Sequence, residues 1–135
     1  MSAKPFLDSN VLLYAFTTDD PRKVTARELI VAGGKVSVQV LNEFVNVSRK
    51  KLDRDWSDIR AFLAIVQDRL DQPISLTLGT HRQAISVSER HRISIYDALI
   101  VAAAREAGCR ILYSEDLQHG RLIDGVTVQN PFRPA

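Results

Sequence analysis

The sequence predicts an α/β protein in which a mostly parallel sheet carries helices on both faces. The chain has 135 residues, which fits one domain over 1–135, and 45% of them are apolar, which suffices for a hydrophobic core. Short strand-like runs alternate with helical runs from one end of the chain to the other. Parallel strands need such helical crossovers, so this order favours a parallel sheet.

The first half of the chain is predicted to hold two strands and three helices. Asp19-Asp20-Pro21 is typical of a helix start with proline in the first turn, and Gly33-Gly34 is typical of a helix end. Apolar alternation predicts the second strand. The expected elements are a strand at 5–7, a helix from Val11 to Phe16, a helix ending at Ala32, a strand at 36–38 and a helix at 39–52.

The second half is predicted to hold three helices and three extended segments. Apolar residues recur every three or four positions over 56–70, which indicates an amphipathic helix. The most apolar helix is expected to begin at Ser94 and to stop at Gly108. The expected elements are helices at 56–70, 80–90 and 94–107, an extended segment at 74–78, and strands at 110–113 and 126–128.

Composition and charge exclude several classes of protein. The sequence has no apolar run of the roughly 18 residues that a membrane helix needs, and Asp8 interrupts the first apolar stretch, unlike a signal peptide. The single cysteine, Cys109, cannot form an internal disulfide, which favours a reducing compartment, the cytosol. The net charge of +2 is only weak support for a nucleic-acid partner.

Three apolar segments each contain a single charged residue, and in each case it is a carboxylate. Because 25% of the chain is charged, a segment of this length should contain about three charged residues. A carboxylate is rarely buried without a partner, since the loss of its hydration costs several kcal/mol. The three residues are Asp8 within 5–18, Glu43 within 36–48 and Asp97 within 93–104.

A fourth carboxylate, Asp116, follows a predicted strand directly, as Asp8 does, and functional residues of parallel sheets gather at such strand ends. Two carboxylates about 4 Å apart repel by roughly 4 kcal/mol at an effective dielectric constant of about 20, so a shared site needs protons or a cation. Oxygen ligands suit Mg²⁺ or Mn²⁺, whereas His81, His91 and His119 lack the spacing of zinc ligands. Such an ion supports phosphate chemistry, because it activates water and offsets charge on phosphoryl oxygens.

Each acid also has a purely structural interpretation. Asp8 could satisfy backbone amides in a strand-to-helix turn, and Glu43 could be a solvated residue at the edge of its helix. Asp97 stands three residues after Ser94, as in a capping box, and Asp116 could be a turn residue. One shared site accounts for all four more economically than four separate explanations.

Four short segments, in a fixed order and spanning nearly the whole chain, match those of a known family. The segments are Phe6-Leu7-Asp8-Ser9-Asn10, Val40-Leu41-Asn42-Glu43-Phe44, Tyr96-Asp97-Ala98-Leu99-Ile100-Val101-Ala102-Ala103-Ala104 and Ser114-Glu115-Asp116-Leu117. On these segments the chain resembles the PIN-domain ribonucleases, and most closely the VapC-type toxins of bacterial toxin–antitoxin pairs.

The resemblance implies a three-layer α/β/α sandwich with a central, mostly parallel sheet, and an acidic site. Asn10 and Ser114 match polar positions beside that site, where they would orient water or carboxylates. Glu115 competes with its neighbour for one acidic position, and the match favours the neighbour. By position, the catalytic and metal-binding acids would be Asp8, Glu43, Asp97 and Asp116.

The resemblance also implies an activity and partners. The implied reaction is Mg²⁺- or Mn²⁺-dependent cleavage of RNA by a homodimer. For the toxin branch, a small antitoxin would place its tail in the active groove, where an acidic cluster attracts a basic residue.

RNA binding needs cationic contacts as well as a cutting centre. Basic residues cluster at the end of the helix that carries Glu43 and just before the helix that carries Asp97, although charge complementarity at helix ends is a competing explanation. Aromatic residues are sparse, so base stacking is not expected, and Trp56 and Phe62 are expected in the core or at a dimer contact. The candidate RNA contacts are Arg49, Lys50, Lys51, Arg54 and Arg92.

Other functions are compatible with the same acids. A metal-dependent phosphatase or a DNA nuclease could use them, and a module on this fold could bind nucleic acid or protein without catalysis. A signalling receiver is disfavoured, because it needs a lysine near its last strands and no lysine follows Lys51.

Overall fold

The computed structural model describes residues 4–17 and 19–134. Within that part of the chain it contains six α-helices and four short strands. In chain order the elements are β1 (Phe6–Leu7), α1 (Ser9–Phe16), α2 (Lys23–Ala32), α3 (Val38–Lys50), α4 (Trp56–Arg69), α5 (Leu78–His91), α6 (Ile95–Glu106), β2 (Ile111–Tyr113), β3 (Leu122–Ile123) and β4 (Val126–Gln129).

The strands form one sheet in the order β1-β2-β4-β3. β2 pairs in parallel with β1 on one side and with β4 on the other, so that Leu112 lies between Phe6 and Val128. Only β3 runs antiparallel to its neighbour, β4, among the described strands. The sheet is therefore mostly parallel and the fold is an α/β sandwich, which confirms the predicted fold class.

The predicted strand at 36–38 and the predicted extended segment at 74–78 do not form strands of the sheet, so these two predictions are wrong. The predicted alternation of strands with helices is wrong as well. All six helices of the described residues lie between β1 and β2. Only an isolated β-bridge, between Ser37 and Ile74, joins residues 36–38 to residues 74–78. A second isolated β-bridge joins neighbouring Lys35 to Phe6. The reason is local, because the Ser37 hydroxyl accepts a hydrogen bond from the amide of Val40 at 3.2 Å and starts α3 at once. α2 likewise begins at Lys23, so Pro21 precedes it.

β4 is the strand predicted at 126–128, whereas β3 and the hairpin that joins the two strands were not predicted. Ile123 pairs with Val126, which leaves Asp124 and Gly125 as a two-residue turn. Their φ angles are 49° and 83°, and two positive φ values define a type I′ turn, for which Asp-Gly is strongly preferred. The Asp-Gly dipeptide between apolar residues is the sequence signal that identifies this hairpin.

The hydrophobic core packs α6 against the sheet and α3 against α1, α4 and α6. Every residue of α6 from Ala98 to Ala104 is buried. The rings of Phe16, Phe44 and Phe62 form a cluster with centroids 4.9 to 5.2 Å apart. Phe62 therefore packs in the core, as one expectation had it, whereas Trp56 is 49% exposed. No helix of the described residues is both long enough and apolar enough to cross a membrane.

Asp124 ties the hairpin to α5 and α6. Its carboxylate, which is 8% exposed, accepts hydrogen bonds from Arg90 at 2.6 Å and from Arg105 at 3.3 Å. Nε2 of His91 lies 3.0 Å from its other oxygen. Burial opposes ionisation of Asp124, but the His91 hydrogen bond and the charges of Arg90, His91 and Arg105 outweigh it and lower its pKa.

The substitution Asp124→Asn is expected to lower the free energy of unfolding by about 1 kcal/mol at neutral pH, because it removes a charge that three basic groups contact. Asparagine tolerates positive φ, so the turn itself is kept. A carboxyl group with a lowered pKa stabilises the fold above its unfolded pKa of about 3.9, and that contribution is lost as the pH falls through its folded pKa. Denaturant unfolding should therefore show the difference from wild type shrinking below about pH 4. An unchanged difference in acid would contradict this assignment.

Candidate active site

The candidate site lies where β1 and β2 end. Leu7 pairs in parallel with Tyr113, so the next residues, Asp8 and Ser114, leave the sheet side by side. The Ser114 hydroxyl donates a hydrogen bond to Oδ2 of Asp8 at 2.7 Å. The Asp8 amide donates to the Tyr113 carbonyl at 3.0 Å. The carboxyl edge of the parallel pair therefore positions Asp8.

Asp8 is 2% exposed and is the N-cap of α1, where its Oδ1 accepts a hydrogen bond from the Ser9 amide at 2.7 Å. Its structural interpretation is thus correct but incomplete. Burial raises the pKa of Asp8 to about 7, although the bonds from Ser114 and Ser9 lower it. The charges of Asp116 and Glu43 raise that pKa further. Asp8 is a buried acid that interacts with other acids.

Glu43 approaches the same edge from α3. The Ser9 hydroxyl donates to Oε2 of Glu43 at 3.1 Å, and Nε2 of Gln39 donates to Oε1 at 3.3 Å. Burial raises the pKa of Glu43 against these two bonds, and the charges of Asp97 and Asp116 raise it further. Since Ser9 begins α1, the first of these bonds ties α3 to the end of β1.

Asp97 lies in the first turn of α6. Its backbone amide donates to the Ser94 hydroxyl at 3.1 Å, so Ser94 caps the helix as the sequence indicated. Burial raises the pKa of the Asp97 carboxyl, the Ser94 hydroxyl lowers it, and the charge of Asp116 raises it further. The backbone amide of Asp97 therefore takes part in the N-terminal cap of α6, while its carboxylate interacts electrostatically with Asp116 and Glu43.

Asp116 is exposed, and two polar neighbours hold it. Its amide donates to the Ser114 hydroxyl at 3.1 Å, and Nδ2 of Asn10 donates to its Oδ2 at 3.3 Å. Ser114 thus links Asp116 to Asp8 through a single oxygen atom. The other polar atom of the Asn10 side chain, Oδ1, is buried and has no hydrogen-bond partner in the described part of the chain.

Asp116 lies within electrostatic reach of the other three carboxylates, since its charge raises the pKa of each. Among residues 4–17 and 19–134, none of the four forms a salt bridge with a lysine or an arginine. Within the same ranges, no three His, Cys, Asp or Glu side chains are arranged closely enough to hold a metal ion. The structure brings the acids to one region without forming a finished coordination shell.

The chemistry of this region nevertheless fits a hard divalent cation. All of its donor atoms are oxygens, which Mg²⁺ and Mn²⁺ prefer, and a cation would offset the repulsion among the acids. The unpartnered Oδ1 of Asn10 adds a buried acceptor beside Asp116 that a water molecule could satisfy. The side chains that could hold an ion are Asp8, Glu43, Asp97 and Asp116.

Glu115 belongs to a different network. It accepts a hydrogen bond from the Tyr14 hydroxyl, and Nη1 of Arg22 lies 3.3 Å from its Oε2. Arg22 also pairs with Asp20 at 2.6 Å. Glu115 therefore has a cationic partner, whereas neighbouring Asp116 is the residue that interacts with the other acids.

The candidate RNA contacts fall into two groups. Nη1 of Arg54 donates to the carbonyl of Phe16 at 3.0 Å, and its guanidinium also lies over the Phe16 ring, so Arg54 is engaged inside the fold. Lys51, by contrast, is exposed and lines the groove that also contains Glu43 and Asp116. Lys50 is exposed on α3, and Arg92 is exposed beyond the end of α5, with a φ of 55°.

Sequence reasoning missed two residues that contact the acids directly, Ser9 and Gln39. The sequence positions of both residues could have identified them. Ser9 lies between two residues that were singled out, and Gln39 precedes Glu43 by four positions, which places the two on one helix face.

The comparisons with known proteins agree with this architecture. The sequence matches the PIN domain family over residues 6–123. No curated protein matches the sequence closely. VapC20 of Mycobacterium tuberculosis, a Sarcin-Ricin loop cleaving toxin, is similar in structure at a TM-score of 0.68 and 24% identity, over 83% of this chain and 89% of that one. A toxin–antitoxin complex from Klebsiella pneumoniae matches at a TM-score of 0.70 and 19% identity, over 96% of this chain and 99% of that one.

VapBC2 of Rickettsia felis, solved with a DNA fragment from its promoter, matches at a TM-score of 0.66 and 20% identity, over 93% of this chain and 96% of that one. These likenesses show a shared fold. The family match extends from β1 to β3 and contains all four acids. The chain belongs to the PIN domain family.

Proposed function

We propose that this chain is a divalent-metal-dependent endoribonuclease and the toxin of a type II bacterial toxin–antitoxin pair. One observation carries the proposal: the charge of Asp116, beside the end of β2, raises the pKa of Asp8, Glu43 and Asp97, and in the described residues no basic side chain is paired with any of the four acids. Membership of the PIN domain family and the similarity of the fold to VapC20, a cleaving toxin, support it.

Mg²⁺ or Mn²⁺ is the ion that suits the oxygen donors of Asp8, Glu43, Asp97 and Asp116. When bound, such an ion supplies hydroxide near neutral pH and offsets the charge that builds on the phosphoryl oxygens.

The protein's own side chains hold this centre in position. Both oxygens of Asp8 accept hydrogen bonds, from Ser9 and from Ser114, so the carboxylate is fixed before an ion or substrate arrives. Asp116 is restrained at two points, because Asn10 donates to its Oδ2 and its own backbone amide donates to the Ser114 hydroxyl. This support keeps the orientation of the acids while RNA binds and leaves.

Glu43 is half-buried in the groove, where its oxygens could hold the ion or orient the attacking water. Its two hydrogen bonds, from Ser9 and Gln39, set the direction of its oxygens. Lys51 in the same groove would contact an RNA phosphate.

The proposal extends to partners and compartment. The chain would act in the cytosol as a homodimer and would be inhibited by a cognate antitoxin. The structural similarity to a toxin–antitoxin complex supports such a partner. The acidic groove would attract a basic residue of the antitoxin.

RNA cleavage is expected only when Mg²⁺ or Mn²⁺ is present, and Asp8→Asn and Asp97→Asn should each lower the rate by at least about 100-fold, because each removes a charged oxygen ligand. The measurement is the cleavage rate of a labelled single-stranded RNA, with circular dichroism to verify folding. Asp68→Asn, an exposed acid on α4, is the matched control and should keep the wild-type rate. Normal cleavage by either site variant would refute the assignment, and preferential hydrolysis of DNA or of a phosphate monoester would favour the alternative enzymes.

Mg²⁺ or Mn²⁺ is also expected to raise the thermal midpoint of the wild-type protein by several degrees, because an ion at a hundred times its Kd adds about 2.7 kcal/mol to the free energy of unfolding. Differential scanning fluorimetry provides this readout without any substrate. Asp97→Asn should abolish most of the shift, whereas Asp68→Asn should preserve it. A shift of equal size in all three proteins would show that the ion binds elsewhere.

A further inference from the structure

The outer face of α3 carries a row of polar side chains that begins at the acidic centre. One face of α3 carries Glu43 together with Gln39, Asn42 and Asn46. Steps of three or four residues lead from Gln39 through Asn42 or Glu43 to Asn46, which places all four side chains on the same side of the helix. Asn42 and Asn46 are exposed, whereas the opposite face of the helix is buried in the core. The row therefore continues the candidate site along the surface.

Two shallow cavities lie along this row, and an exposed aromatic side chain borders each of them. One cavity is lined by Gln39, Asn42, Glu43, Asn46 and Tyr96. The other is lined by Asn42, Val45, Asn46, Arg49, Lys50 and Trp56. Because Asn42 and Asn46 line both cavities, the two form one continuous surface, here called the α3 surface.

The two aromatic rings are available for contact. Tyr96 is 62% exposed and directly precedes Asp97, and Trp56 is 49% exposed at the first position of α4. The Arg49 guanidinium lies 5.0 Å from the centre of the Trp56 ring and donates to the Arg54 carbonyl at 2.7 Å. Arg49 thus holds the Trp56 ring and places a positive charge beside it.

We propose that the α3 surface is the subsite that binds single-stranded RNA next to the acidic centre, an inference that rests on the proposed function for its substrate. Bases stack on Tyr96 and Trp56, which bracket the surface. The amides of Asn42 and Asn46 supply donors and acceptors to base edges, and Lys50 contacts phosphate. The combination of aromatic, amide and cationic groups matches a single-stranded nucleic acid better than an apolar protein partner.

The dimensions of the surface fit a short single strand. From Gln39 to Lys50 the helix extends about 16 Å at about 1.5 Å per residue. A strand with stacked bases advances about 3.4 Å per nucleotide, so about five nucleotides would cover it. A duplex keeps its bases paired and stacked inside, out of reach of the two rings, so single-stranded RNA should be preferred.

Trp56 is the only tryptophan of the chain, and its fluorescence therefore reports on this surface directly. Titration of the wild-type protein with a short single-stranded RNA, in the presence of a metal chelator to prevent cleavage, is expected to quench this fluorescence with saturation. Duplex RNA of the same sequence should quench it weakly. Quenching by duplex as strong as by single strand would overturn the stacking proposal.

Variants identify the residues that bind. Trp56→Ala and Tyr96→Ala should each weaken binding of a fluorescently labelled RNA by roughly 5- to 100-fold in an anisotropy assay, the range expected for the loss of one stacked base. Trp56→Phe keeps an aromatic ring and should restore most of the affinity. Ile65→Ala, which truncates another exposed side chain of α4, is the matched control and should bind as wild type does. Wild-type affinity in both aromatic-to-alanine variants would overturn the proposal.

This experiment separates failure of the subsite from failure of the proposed function. If RNA binding depends on Trp56 and Tyr96 but the protein never cleaves RNA, the proposed subsite is supported and the proposed nuclease activity is refuted. If Trp56→Ala and Tyr96→Ala cleave RNA in a metal-dependent way with an unchanged KM, the nuclease activity is supported and the subsite is refuted. Loss of the subsite should raise KM more than it lowers kcat. Trp56 fluorescence that changes on protein dilution and does not respond to RNA would instead assign the surface to contact between two copies of the chain.

Discussion

Mutual repulsion among carboxylates at one edge of the sheet is the constraint on which the arrangement of this protein depends. Asp8 is almost fully buried, and the charge of exposed Asp116 acts on it, on Glu43 and on Asp97. Burial and repulsion between like charges both oppose ionisation, which is why the pKa of Asp8 is raised to about 7. A divalent cation among these acids would offset their repulsion, which is the reason for proposing one at this edge.

The sheet and the core supply the support that this arrangement needs. Parallel pairing of β1 with β2 brings Asp8 beside Ser114, although 106 residues separate them in the chain. The buried Phe44 anchors α3, and the buried run from Ala98 to Ala104 anchors α6, so that each helix presents its acid to the same edge. The Ser9 hydroxyl then bonds Glu43 beside Asp8, and the Ser114 hydroxyl joins Asp8 to Asp116. Asp97 interacts with Glu43 and Asp116 through charge alone.

Much of this could be predicted from the sequence, because a lone charge in an apolar segment is visible without a structure. Asp8, Glu43 and Asp97 were identified in this way, and Asp116 by its position directly after a predicted strand. The succession of strand-like and helical runs predicted the α/β class, and the resemblance to PIN domains implied that the four acids form one metal-binding set. The pairing of Glu115 with Tyr14 and Arg22 could not be foreseen, because it joins side chains about a hundred residues apart in sequence. The exposure of Trp56 could not be predicted either. Hydrophobic periodicity places Trp56 on the apolar face of α4, whereas its ring at the first position of the helix lies beside Arg49 at the surface. The Asp124-Gly125 hairpin, by contrast, had a clear local signal that the strand pattern alone overlooked.

Paramagnetic NMR with Mn²⁺ tests most directly whether Asp8, Glu43, Asp97 and Asp116 share one divalent ion, as proposed. A bound Mn²⁺ broadens the amide signals of nearby residues. Substoichiometric Mn²⁺ is expected to broaden the signals of Ser9, Glu43, Asp97 and Asp116 together, and Asp8→Asn is expected to remove the effect. Broadening confined to acids elsewhere on the surface, such as Asp68 and Asp71, with the signals of all four elements unaffected, would contradict it.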